Sequence, residues 1–282
     1  MSEAPDWGTS FATASLSAMS IYDEIMVPRL FEPWATRLLD ELRIQDGDAV
    51  LDVACGPGTV ARQAARRVGR SGRVTGCDLS PSMLQLARAK TASDVSAPIE
   101  YLECPADALD VPDDSFDAVT CQQGLQFFPD RPAALAEMRR ALRPGGTLGV
   151  AVWCAIEDCP PFAALRSALG SVLGLETATA YEAGPWGFGD ADALARLVSD
   201  AGFTSVHVRK VQLPLVFEGG PRQLLLTLRA ASVASTLNEL PDADLEALAS
   251  AVEVAASAIT LDGGVRSHAA SHVVTAQVGA HG

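Results

Sequence analysis

Four residues able to grip a charged ligand stand close together in this chain: Asp52, Gly56, Gly58 and, after one further apolar run, Asp78. The segment Ala49-Val50-Leu51-Asp52-Val53-Ala54-Cys55 is apolar apart from its acid, and it passes through Gly56-Pro57-Gly58 into a helix-like stretch from Thr59. That is the sequence form of a strand, a tight turn and a helix N-terminus. Glycine takes positive φ without strain and lets a ligand lie directly on backbone. The start of the helix offers free N–H groups and a partial positive charge, which suit a carboxylate or a phosphate. The spacing therefore describes a loop for a ligand with an anionic part.

Two cofactor classes use such a loop. Gly56-Pro57-Gly58-Thr59-Val60-Ala61 fits the G-x-G-x-x-G/A form of nicotinamide binders, and Asp78 ends the next apolar run, where such proteins place an acid for a ribose hydroxyl. Asp52, just ahead of the turn, weighs against a pyrophosphate, which it would repel by roughly 1 kcal/mol or more at short range. A ligand carrying an ammonium group is favoured there, directly or through water. S-adenosylmethionine has an ammonium, a carboxylate and a ribose, and one acid, one glycine turn and a second acid suit it. A nicotinamide-dependent reductase remains the competing reading.

At this point the chain resembles the class I S-adenosylmethionine-dependent methyltransferases, in particular the small-molecule branch similar to ubiquinone/menaquinone biosynthesis enzymes. Leu51-Asp52-Val53-Ala54-Cys55-Gly56-Pro57-Gly58 is similar to the glycine motif of that family, and Cys77-Asp78-Leu79-Ser80-Pro81-Ser82-Met83-Leu84 to its ribose motif. Cys104-Pro105-Ala106-Asp107-Ala108-Leu109 is similar to the adenine-side motif. Phe116-Asp117-Ala118-Val119 and Leu142-Arg143-Pro144-Gly145-Gly146 resemble the motifs at strand four and ahead of strand five. The resemblance spans about residues 22–153. One departure is Ala54, where the family usually has the first glycine of its triplet; the extra methyl falls near the methionine tail.

The resemblance implies a set of cofactor-binding residues, each with a plainer alternative. Asp78 accepts both ribose hydroxyls or only caps a helix. Leu79 and Met83 flank the adenine, although Met83 equally suits the core. Asp107 accepts from the adenine 6-amino group while the Ala108 N–H donates to a ring nitrogen; otherwise Asp107 belongs to a simple turn. Gln122 and Gln123 follow strand four, where the family puts groups beside the sulfonium, or they are satisfied loop amides. Tyr22 lies in helices that cover the cofactor in the family, and is a lid residue over the methionine end or ordinary packing. Asp52, Ala54, Gly56 and Gly58 complete the set.

These residues need a frame to hold them. Strands are expected at 49–54, 73–78, 99–103, 116–121 and 147–153, alternating with helices. The helix after residue 58 runs to about 68, and two later helices are capped by Ser80 and Asp130, each with a proline in its first turn. Such alternation means a parallel sheet covered on both faces, with ligands beyond the carboxyl ends of the strands. The expected fold is α/β, a Rossmann-like, doubly wound, seven-stranded and mostly parallel sheet. Strand six is placed at 204–213 and strand seven at 270–278; the resemblance makes one strand of this last pair antiparallel. Residues 1–45 are read as an N-terminal helical cap, broken into two or three short helices around Pro28 and Pro33, with a mobile beginning. Residues 46–282 form the methyltransferase domain, with 154–188 and 220–262 as helical lid insertions, the latter holding two amphipathic helices.

The net charge of −14 argues against a broad nucleic-acid surface, which needs clustered Lys and Arg. No uninterrupted apolar run is long enough to span a membrane, and the first residues lack the basic-then-apolar order of a secretory signal. The six cysteines suit reduced thiols and a cytoplasmic location better than a disulfide framework. Cys159-Pro160-Pro161-Phe162 resembles the Asn/Asp-Pro-Pro-aromatic motif of amino-methylating nucleic-acid enzymes, but lacks the amide or acid and follows the wrong strand. His207, His268, His272 and His281 fit packing or surface positions, and no metal is expected.

The function expected is methyl transfer from S-adenosylmethionine to an O, N or C atom of a small hydrophobic acceptor by in-line displacement. Phe11, Trp153, Phe162, Trp186, Phe188 and Phe217 are candidate walls for that acceptor. A fold relative that binds S-adenosylmethionine but cyclises, or only regulates, is the alternative. No catalytic residue and no oligomeric state can be named from the sequence.

Overall fold

In the computed structural model, residues 22–90 and 97–279 are described. β1 (Ala49–Val53) is buried along its whole length, as a strand covered on both faces must be. β2 (Arg73–Asp78), β3 (Ile99–Glu103), β4 (Phe116–Gln122) and β5 (Leu142–Trp153) run parallel to it, and β6 (Thr204–Phe217) and β8 (Gly264–Gln277) complete the sheet. The order is β3-β2-β1-β4-β5-β8-β6, with β8 antiparallel to both of its neighbours. The single reversed strand anticipated for this sheet is therefore β8. The chain steps outward from β1 to β3 and returns on the other side at β4. This leaves a crevice beyond the carboxyl ends of β1 and β4, the switch point where such sheets bind ligands.

On one face α1 (Glu32–Glu41) and α2 (Thr59–Val68) bury Ala35, Leu39, Val60, Ala61, Ala64, Ala65 and Val68 against Val50, Val74 and Ala118. The helical spacing of those small residues lets α2 lie close to the sheet. On the other face α4 (Arg131–Ala141) and α7 (Ala191–Asp200) pack Leu135, Met138, Leu194 and Val198 against Leu51, Val119, Leu148 and Val274. α3 (Pro81–Ala89) is capped by the Ser80 hydroxyl, which accepts from the Met83 N–H, and α4 by Asp130, which accepts from the Ala133 N–H.

Several boundaries differ from the sequence reading. Pro28 does not break the first segment. It lies within a widened, π-type helix over Tyr22–Phe31, and the break falls at α1, with Pro33 in its first turn. Pro144 and Gly145 are not a turn ahead of β5 but part of it, beside a register shift between Phe116 and Ala118; Gly145, at φ 81, donates to the Val278 carbonyl. β6 runs four residues further than expected, through Pro214, because it is the edge strand and one side of its ladder needs no N–H. β8 begins at Gly264 because a two-residue strand, β7 (Thr260–Leu261), folds onto it through Asp262 and Gly263, both at positive φ. Asp-Gly between apolar residues is a hairpin signal that the sequence reading passed over.

Over the crevice lie α5 (Pro160–Leu173) and α6 (Leu175–Ala183), separated at Gly174, where φ is 91. Three helices follow β6 rather than two: α8 (Gly220–Leu226), α9 (Ala234–Asn238) and α10 (Asp242–Ala255). A tight turn over Thr227–Ala230 ends the first, with the Thr227 hydroxyl donating to the Leu224 carbonyl. Phe162, Leu165, Leu169, Tyr181, Leu224, Leu248 and Val252 share one core with Val265 and Ala269 of β8 and Trp34 of α1. These helices, the sheet edge and the N-terminal helices are thus packed together. Among the described residues no helix is long and apolar enough to cross a membrane.

Candidate active site

Beyond Val53 the backbone turns left-handed at Ala54 (φ 55), Gly56 (φ 53) and Gly58 (φ 75). The turn is pinned by the Cys55 N–H on the Cys77 carbonyl and the Gly58 N–H on the Cys55 carbonyl, both 2.9 Å. Asp78, at the end of β2, ties the turn to the next helix. One carboxylate oxygen accepts from the Gly56 N–H and the other from the Ser80 N–H, each at 2.8 Å. Burial nevertheless raises its pKa, with the hydrogen bonds from Ser80 and Gly56 opposing. Each oxygen keeps a second lone pair, so the carboxylate can hold the turn and still accept from hydroxyls.

A cavity of about 430 Å³ opens at this point. Ala54, Gly56, Asp78, Leu79, Met83, Asp107, Gln122, Gln123 and Tyr22 all line it, so nine of the twelve sequence candidates border one cavity. A Cβ built on Gly56 would touch nothing, which leaves its backbone bare towards the cavity. Leu79 is 48% exposed, an apolar side chain held on the rim beside buried Met83.

The other three are placed differently. Gly58 caps α2 from behind the turn, where a Cβ would collide with the Tyr101 hydroxyl. The Ala108 N–H donates to the Pro105 carbonyl at 3.3 Å, and Ala108 is absent from the cavity wall. Asp52 is 1% exposed, and its carboxylate accepts from the Ala61 N–H at 3.1 Å and the Thr120 hydroxyl at 2.8 Å. Burial pushes its pKa up to about 7 against those two bonds. It borders not the main cavity but an adjoining recess of about 40 Å³, shared with Tyr22, Ala54, Gly56 and Gln122.

Gln122 stands between the two spaces. Its amide nitrogen donates to the Phe31 carbonyl at 3.1 Å, while its Oε1 is buried without a partner. An orphaned acceptor beside Asp52 suits an ammonium group, so the residues present fit S-adenosylmethionine at this end. Gln123, at φ 56, is committed elsewhere: its amide nitrogen donates to the Ser271 hydroxyl at 2.8 Å. Tyr22 stacks on Phe31 with ring centres 4.9 Å apart, roofing this end.

The far end of the cavity is aromatic. Trp153, Phe162 and Trp186 line it as expected, with Tyr181 beside them. Phe188 instead lies under the Arg131 guanidinium, and Phe217 is sealed in the core. Phe11 and His281 fall outside the described residues, as does the expected mobile start. The sequence reading missed Met26, Leu30, Phe127, Phe128 and Ser232 on the wall. Met26 and Leu30 had a signal, since they follow Tyr22 at helical spacing. Among the described residues no group of three His, Cys, Asp or Glu can hold a metal, and the six cysteines are free and buried.

A glycine turn at the switch point, an acid ending β2 and one reversed strand define a Rossmann-like methyltransferase that uses S-adenosylmethionine. The chain belongs to the ubiE/COQ5 methyltransferase family, whose sequence profile matches residues 16–216. It is 32% identical over 188 residues to the demethylmenaquinone methyltransferase of Staphylococcus aureus (strain JH9), a match covering 62% of this chain and 76% of that protein. Solved structures share the fold at lower identity. Phosphoethanolamine N-methyltransferase 2 of Haemonchus contortus superposes with a TM-score of 0.60 at 18% identity, over 100% of this chain and 61% of its own. The cyclase SpnF gives 0.56 at 19% identity, over 96% of this chain and 98% of its own.

Proposed function

We propose that the protein methylates an O, N or C atom of a hydrophobic small molecule seated under the lid of α5, α6 and α8–α9. What carries this reading is the continuity of one cavity from the Gly56–Asp78 turn to the Trp153–Phe162–Trp186 end. Bound there, S-adenosylmethionine would supply an activated methyl for in-line displacement by an electron pair of the acceptor, a lone pair at O or N or a π pair at C.

In this reading Asp78 holds the ribose, Leu79 and Met83 sandwich the adenine, and Asp107 accepts from its amino group. Gln122 Oε1, with Asp52 behind it, takes the ammonium, and the Gly56 backbone faces the carboxylate. Tyr22 closes the methionine end. The chain's main contribution is then to align the partners and keep water out. Burial raises the pKa of both cavity phenols, Tyr22 and Tyr181, far above the ordinary value, so neither takes a proton from the acceptor near neutral pH. Demethylmenaquinone, named for the Staphylococcus relative, belongs to the class of flat, apolar acceptors that an aromatic wall suits.

The test is transfer of labelled methyl from S-adenosylmethionine to a panel of quinols, naphthols and amines that includes demethylmenaquinone, with S-adenosylhomocysteine binding measured alongside. Label in one acceptor class with matching S-adenosylhomocysteine release supports the reading. Tight S-adenosylhomocysteine binding with no labelled product across the panel favours the non-methylating alternative.

A further inference from the structure

Tyr181 is a buried phenol whose hydroxyl the protein itself does not use. It stands near the end of α6, is 2% exposed, and borders the aromatic half of the cavity. No hydrogen bond reaches its hydroxyl among the described residues; burial and the nearby Cys159 thiol are all that act on its proton. Other polar groups at this end are spent or shut away. The Thr227 hydroxyl donates to the Leu224 carbonyl at 2.7 Å. Ser232 Oγ and Trp186 Nε1 lack partners but are closed off in packing, the indole N–H beside the Cys159 sulfur. The Tyr181 oxygen is not closed off in this way, and the open space its side chain borders is the cavity.

The phenol is also held in place. Next to it in α6, Glu182 accepts from Arg166 of α5 at 2.8 Å, and the same guanidinium nitrogen lies 2.9 Å from Glu157. The Tyr181 ring is 5.3 Å from that of Trp186, which is 5.2 Å from that of Phe162. With its pKa raised by burial, the hydroxyl keeps its proton and can serve as a donor across the working pH range. A ligand that filled this space with carbon alone would leave that donor buried and unpaired, which is costly.

We propose that Tyr181 is a specificity residue for the acceptor, its hydroxyl donating to an oxygen or an unprotonated nitrogen other than the atom that is methylated. A bond given to the attacking atom would tie up the electron pair needed for attack, so a second polar atom is the suitable partner. A site built around such a bond rejects the analogue that lacks the atom, because the donor is then left without a partner. The assignment rests on the acceptor seat proposed above.

Calorimetry on protein saturated with S-adenosylhomocysteine tests it with two ligands, a hydroxytetralone and the tetrahydronaphthol that lacks only its ketone oxygen. Tyr181→Phe keeps the ring and removes the donor. It should weaken the ketone at least fivefold and leave the tetrahydronaphthol within twofold, a coupling between one protein atom and one ligand atom. Equal weakening of both ligands would make Tyr181 a packing residue, and no weakening of either would leave its hydroxyl without a ligand; each overturns the proposal. Where labelled methyl is transferred to the ketone, the loss should fall on KM with kcat unchanged. A fall in kcat at unchanged KM would put the phenol on the attacking atom and overturn its assignment to a second one. If neither ligand binds the native protein with S-adenosylhomocysteine in place, the aromatic acceptor seat itself fails, and the role of Tyr181 with it.

Discussion

At pH 7 the Asp52 carboxyl sits near the midpoint of its titration, because burial lifts it from an ordinary 3.8 to about 7. The unfolded chain releases this proton near 3.8, whereas the folded chain keeps it to about 7. The native state therefore binds more protons between those values. The group's contribution to stability is greatest at the acid end and is lost as pH rises to about 7. Asp52→Asn should flatten the stability profile in that window, measured by urea unfolding at several pH values. An ammonium docked in the recess favours the carboxylate. S-adenosylhomocysteine binding should then release protons near neutrality, seen as a dependence of the calorimetric heat on buffer ionisation, and affinity should weaken from pH 7 to 5. No buffer dependence would remove Asp52 from the ammonium site. A second residue-scale prediction concerns Ala54, whose left-handed backbone costs an alanine about 1–2 kcal/mol. A Cβ on Gly124 would lie 2.7 Å from that of Ala54. Gly124→Ala should destabilise by about 1–3 kcal/mol, and adding Ala54→Gly should recover part of it. Additive losses in the double mutant would mean that the two positions do not press on each other.

Elements whose ends carry their own chemistry were legible in the sequence. α2 stops and starts at glycines, and α3 and α4 begin at Ser80 and Asp130 with prolines behind them. Asp130→Ala should cost about 1 kcal/mol in chemical denaturation; a neutral effect would mean solvent replaces the cap. Elements decided by neighbours were not legible. Pro214 ends a strand in a sheet interior but is tolerated in β6, and edge position is a property of the whole sheet. The site divides in the same way. Gly56, Asp78 and Met83 were readable because turn, strand end and helix start are local. The turning of Asp52 towards Ala61 and Thr120 is a tertiary event, whereas the Ala108 N–H closes a local turn on Pro105, the plainer alternative for that stretch. Phe162 and Trp186 serve core and cavity at once, so their apolar pattern does not say which face is open.

Across the whole molecule the cavity joins two regions with different origins, a turn fixed by the sheet and an aromatic wall, the proposed lid, fixed by helix packing. A ligand gripped mainly by the first should stabilise the fold even when the second is altered. S-adenosylhomocysteine at a hundred times its Kd adds about 2.7 kcal/mol to the unfolding free energy. For a chain of this size that corresponds to a rise in Tm of roughly 5 °C. Trp186→Phe trims the ring packed against Phe162 and Tyr181, 5.2 and 5.3 Å away. It should keep the ligand-induced rise while lowering methyl transfer to the acceptor. Asp78→Ala also frees the Gly56 and Ser80 N–H groups, so its melting temperature falls without ligand. The informative quantity is therefore the increment, which should shrink to a degree or two at the same ligand concentration. If Trp186→Phe lost the increment and Asp78→Ala kept it, the cofactor would have to sit at the aromatic end, and the roles of turn and lid would exchange.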